Sequence, residues 1–85
     1  MATPEEIEEL KLASEEAGRM YEKAKQVYED AQQTYSKTKT EESLRAVQEA
    51  EKALKVTETV YNKLLDDFIL AMVEFIVDKE SGSKN

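Results

Sequence analysis

The sequence predicts an all-α fold, a long antiparallel hairpin of two coiled-coil-like helices, and three observations carry that expectation. Helix-forming residues run almost unbroken from Pro4 to Glu80, with Pro4 the only proline and Gly18 the only glycine before the tail. One interior stretch, SKTKTEES at 36–43, exchanges the Ala, Leu and Val around it for short polar residues that compete for backbone hydrogen bonds. On both sides of it, apolar residues recur at alternating spacings of three and four. The expected whole is a single domain over 1–85, with a helix over about 4–37, a turn at about 37–41, a second helix over about 41–79 and a frayed tail at 81–85.

The first helix has a marked start. Thr3 can cap it, Pro4 suits the first helical position, and Glu6 stands where the return partner of a capping box belongs. Glu5, Glu6, Glu8 and Glu9 complement the positive end of the helix dipole. Within it a seven-residue repeat, MYEKAKQ, VYEDAQQ and TYSKTKT at 20–40, aligns Tyr21, Tyr28 and Tyr35 in one column. The spacing places Leu10, Ala13, Ala17, Met20, Ala24, Val27, Ala31, Thr34 and Thr38 in a seam of mostly small knobs, with Ile7 and the tyrosines beside it.

A new start signal follows the turn, either Thr38 with Glu41 or Thr40 before Glu41 and Glu42. The second helix then turns Val47, Ala50, Leu54, Thr57, Tyr61, Leu64, Phe68, Ala71 and Phe75 to one side. A short turn makes the two helices antiparallel neighbours, and the alanines let their axes approach closely. Pairs such as Glu15 with Arg19, Lys25 with Glu29, Glu41 with Arg45 and Glu51 with Lys55 are spaced to meet on the outer faces.

The last part of the second helix carries more apolar surface than one seam can use. In LLDDFILAMVEFIV, at 64–77, eleven of fourteen residues are apolar, although 36% of the whole chain is charged. Leu64, Phe68, Ala71, Met72 and Phe75 continue the seam. Ile69, Leu70, Val73, Ile76 and Val77 form a second stripe at helical spacing that a single antiparallel neighbour does not cover. Each such side chain is worth about 1.5–3 kcal/mol on full burial, so a third surface is expected there. The segment is too short to span a bilayer and is interrupted by Glu74, and the acidic residues around it disfavour an anionic lipid surface.

Composition narrows the function classes. An 85-residue chain buries a limited core, and with neither Cys nor His it has no disulfide and no ordinary zinc set, which leaves association as the expected source of added stability. Nineteen acidic against twelve basic residues give a net charge of −7, with −4 over 1–38 and −3 over the remainder. That balance opposes direct nucleic-acid binding, which needs clustered cations, and permits a partner with a basic surface. The N-terminus has neither the basic residues nor the apolar run of a cleavable signal, so a cytoplasmic location is expected, with signal-less secretion left open.

No catalytic, cofactor or metal residue is expected. Asp66 and Asp67 are neighbours on a helix and point about 100° apart, so they cannot share a proton or a substrate. A di-metal carboxylate bundle would want Glu-x-x-His pairs, and nucleophilic catalysis a His partner. Gly-rich phosphate loops and calcium loops are also missing. Tyr21, Tyr28 and Tyr35 lie among Glu22, Glu29 and Asp30, which opposes a platform for bases and suits rings that edge the seam with their hydroxyls in water, with a protein-contact stripe as the second reading.

In having two helices around one polar turn, SKTKTEES, and a more apolar C-terminal end, the chain resembles the small hairpin proteins of type III secretion, needle subunits and co-chaperones. Needle subunits carry a Pro-Asn type turn that this chain lacks. It also resembles the hairpins of secreted WXG-type dimers, without their Trp and W-x-G turn. Phage and plasmid accessory proteins are similarly small and acidic.

Together these readings predict a non-enzymatic protein–protein interaction module. It would be a homo-oligomer, a dimeric four-helix bundle or larger, assembled through its C-terminal end and acting as an adaptor, assembly subunit or small chaperone. Its principal contact would be Ile69, Leu70, Val73, Ile76 and Val77, with Tyr21, Tyr28 and Tyr35 as a second surface. The alternative is an acidic inhibitor that blocks a basic groove by resembling nucleic acid; the third is a needle subunit or co-chaperone of the type III kind.

Overall fold

Two helices and a two-residue connection make up the computed structural model, which describes residues 2–83 and the side chains of 2–80. Helix α1 runs Pro4–Thr38 and α2 runs Glu41–Ser83. The rod measures 69 × 14 × 13 Å. Gly18 lies against Tyr61, Pro4 and Ile7 share a groove with Met72 and Phe75, and Ala17 and Met20 share one with Val56 and Val60, which makes the pairing antiparallel. The expected frayed tail is helical in backbone as far as Ser83, since no proline or cap stops the ladder; Lys84 and Asn85 lie outside the described residues.

Both helix starts are fixed by hydroxyls. Thr3 is extended, and its Oγ1 accepts from the Glu6 N–H at 3.1 Å. Among the described residues no bond returns from the Glu6 carboxylate, so the cap works with one arm. At the turn, Lys39 ends α1 in the left-handed region, φ 52° and ψ 33°, donating its N–H to the Tyr35 carbonyl. Thr40, and not Thr38, begins α2. Its Oγ1 accepts from the Ser43 N–H at 3.0 Å, and its own N–H donates to Ser43 Oγ at 3.1 Å. This is a reciprocal capping box with serine where glutamate is usual.

The seam of α2 contains the nine residues that its spacing selects, from Val47 to Phe75, all buried or half-buried. The seam of α1 is rotated from the expected one. Leu10, Ala17, Ala24 and Ala31 face inward, but their partner column is Ile7, Ser14, Tyr21, Tyr28 and Tyr35. In the other column, expected inside, Ala13 is half-buried but Met20, Val27 and Thr34 face solvent, Met20 being 53% and Val27 57% exposed. Three tyrosine rings and an isoleucine remove more surface from water than Met20, Val27 and two small residues could, and each hydroxyl still reaches the edge.

The most deeply buried inward residues are all small, Ser14, Ala17, Ser43, Ala50 and Ala71. Level with several of them stand large partners. In the register set by Gly18 and Tyr61, Tyr61 falls within one residue of Ala17, Tyr28 of Ala50, and Tyr35 of Ser43. Tyr61 stacks on Tyr21 with centroids 5.9 Å apart and planes 20° from parallel. A Cβ on Gly18 would stand 3.1 Å from the Tyr61 ring, so the glycine provides the room for that stack. Two helices can enclose an alanine but not a tyrosine or a phenylalanine, and the large seam residues stay half-buried.

The outer faces carry few ion pairs. Glu51 meets Lys55 at 3.2 Å, Lys63 meets Asp67 at 3.7 Å, and Arg19 bonds Glu16 at 2.6 Å in place of the expected Glu15. Lys25 lies over the Tyr21 ring instead of pairing with Glu29.

Candidate functional site

Residues 64–77 divide by face as helix geometry requires. At about 100° per residue, Val73 points away from the mean direction of Leu64, Phe68, Ala71 and Phe75, and Ile69, Leu70, Ile76 and Val77 fall within about 60° on either side of it. All five stripe residues are between 50% and 57% exposed. The stripe is therefore centred on the side opposite the seam, with Ile76 at its edge bordering the groove that Pro4 and Ile7 of α1 share with Met72 and Phe75. Met72, expected in the seam, is 41% exposed and sits at the edge of the groove shared by Pro4, Ile7 and Phe75. Asp66 and Glu80 close the two ends of the stripe and Glu74 one side. A face about 12 Å long, at 1.5 Å per residue, is thus apolar in the middle and acidic at its border.

The three tyrosines are placed differently from the stripe. Tyr21, Tyr28 and Tyr35 are half-buried members of the seam, and Tyr21 is further covered by Tyr61 and Lys25. Lys39 lies over the Tyr35 ring at 5.1 Å. At Tyr21 and Tyr35 a partner would meet rings that already carry a lysine over one face.

A second apolar surface lies on the flank of the rod and was not singled out from the sequence. Met20 and Val27 of α1 and Val56 and Val60 of α2 share it, 47% to 62% exposed. Between the helices it holds a depression of about 130 Å³ lined by Ala17, Met20, Val56, Thr57 and Val60. Its signal in the sequence was the column Met20 and Val27, which the same three-and-four spacing assigned to the seam.

Chemical machinery is sparse on all of these surfaces. Asp66 is exposed, while Asp67 is half-buried and paired with Lys63. Among the described residues no three acidic side chains are grouped to hold a metal ion, and no helix is long and apolar enough to cross a membrane. The geometry offers contact surface and carboxylates, which suits binding. Comparison with known proteins finds no matching family model, no matching curated protein and no matching solved structure.

Proposed function

We propose that this protein is a non-enzymatic interaction module, an assembly subunit, adaptor or small chaperone that uses the stripe Ile69, Leu70, Val73, Ile76 and Val77 to cover an apolar surface on another chain. The observation that carries the reading is the half exposure of all five residues on the side of α2 turned away from the seam, where only Ile76 borders α1, at Pro4 and Ile7. Burying the exposed half of five such side chains is worth on the order of 5 kcal/mol before the cost of association, enough for a weak to moderate contact. The occupant can be a second copy, giving a four-helix bundle, or a different protein.

A second reading, an acidic blocker of a basic groove, is supported by where the charge sits. Residues 1–20 and 60–85, which form the end bearing the stripe, hold eleven acidic against five basic residues. Salt separates the two, since apolar contact persists or tightens as salt rises while a charge-dominated complex weakens. The test is a titration of a labelled amphipathic helical peptide with the native chain and with Ile69→Glu plus Val73→Glu, at low and high salt. The native chain should bind at both, and the variant should lose about tenfold or more in affinity. Equal binding by the variant refutes the stripe, and loss of native binding in high salt selects the acidic reading.

A further inference from the structure

We infer that a second copy of this chain docks on the flank of the hairpin, away from the C-terminal stripe, with Val27 of each copy seated in the depression between Met20, Val56 and Val60 of the other.

The depression has the form of a hole in knobs-into-holes packing. It is bounded by five side chains from two helices, Ala17, Met20, Val56, Thr57 and Val60, and its volume of about 130 Å³ suits a branched aliphatic side chain. Val27 stands on the same flank, 57% exposed, one heptad beyond Met20. Hole and knob are about 11 Å apart along the rod at 1.5 Å per residue. A two-fold axis perpendicular to the rod, crossing the flank midway between them, brings each Val27 to the other copy's hole. The flank is thereby self-complementary, as a closed two-fold contact requires.

Area and charge both favour a second copy here. The chain exposes 6608 Å², whereas a compact monomer of 9.7 kDa would expose about 5,100 Å². The excess of about 1,500 Å² comes from the elongated shape of the rod, whose length leaves room along one side for the roughly 800 Å² per partner that a standard stable interface covers. Residues 21–59, the half of the rod around Val27, Val56 and the turn, hold eight acidic and seven basic residues, so this half is close to neutral. The perpendicular axis also lays the acidic terminal end of each copy toward the other's turn end, where Lys37, Lys39 and Arg45 outnumber Glu41 and Glu42 by one. A contact through the two C-terminal stripes would instead bring the acidic ends together.

The test uses the full chain throughout. Sedimentation or light scattering should give a dimer for the native protein and for Ile69→Glu plus Val73→Glu, whereas Val27→Glu should weaken the dimer about 100-fold or more while keeping native helicity. Because the chain has no cysteine, an oxidised mixture of Val27→Cys and Met20→Cys should give the mixed disulfide in preference to either homodimer, and Ile76→Cys alone should give none. This second measurement decides the matter if Val27→Glu fails to fold. A native monomer at all concentrations, a dimer lost in the stripe variant but kept in Val27→Glu, or cross-linking through Ile76→Cys in place of the flank pair overturns the inference. The stripe's own role is judged separately by the peptide titration, which these outcomes leave untouched.

Discussion

Replacing Tyr61 with alanine removes the one aromatic ring that both stacks on Tyr21 and fills the space over Gly18. The ring is half-buried, so the expected loss is about 2–3 kcal/mol, below the range for a fully buried aromatic. Part of that belongs to the stack, and a double-mutant cycle with Tyr21→Ala should return a coupling energy of about 1 kcal/mol. No hydrogen bond is made by the Tyr61 hydroxyl among the described residues, and Tyr61→Phe should therefore change stability by less than about 0.5 kcal/mol. Chemical denaturation followed by helical circular dichroism, at one fixed protein concentration because association contributes to apparent stability, reads all five chains, native, the two alanine singles, their double and Tyr61→Phe. A coupling indistinguishable from zero, or a phenylalanine variant as weak as the alanine one, would refute the assignment of the tyrosines to the seam.

Two further outcomes test the turn. Lys39→Gly should stabilise the hairpin by about 0.5–1 kcal/mol, because Lys39 holds a left-handed conformation that glycine adopts freely; the same denaturation curves check it, and a destabilisation would mean that its contact with the Tyr35 ring outweighs the backbone term. Thr40→Ala and Ser43→Ala should each cost about 1 kcal/mol, and the double variant should cost clearly less than their sum, since either change opens the same reciprocal cap. Additive losses would show that the two hydroxyls act independently.

Several features of this fold were readable before any coordinates, for a common reason. Helix propensity, the Thr3-Pro4 start and the polar break at 36–43 are local properties, and local chemistry decides them. The stripe of Ile69, Leu70, Val73, Ile76 and Val77 was readable too, because helix geometry alone says that one neighbour covers one side. Choosing the inner column of α1 was harder. The columns through Met20 and through Tyr21 have the same spacing, and both flank the alanines of 17, 24 and 31. Only the opposite helix distinguishes them, by placing small residues such as Ala50 and Ser43 level with the tyrosines.

The sequence by itself thus determined two helices, their break, and a surplus of apolar surface near the C-terminus, since periodicity and capping act over a few residues. The tertiary structure decided which surplus lies where. Closing the hairpin drew the tyrosines into the seam and turned Met20 and Val27 outward, beside Val56 and Val60. It thereby created a second apolar face that neither helix possesses alone. The hole between Met20, Val56 and Val60 exists only at the register of the two helices, where volumes on both chains are compared at once and no local rule reaches.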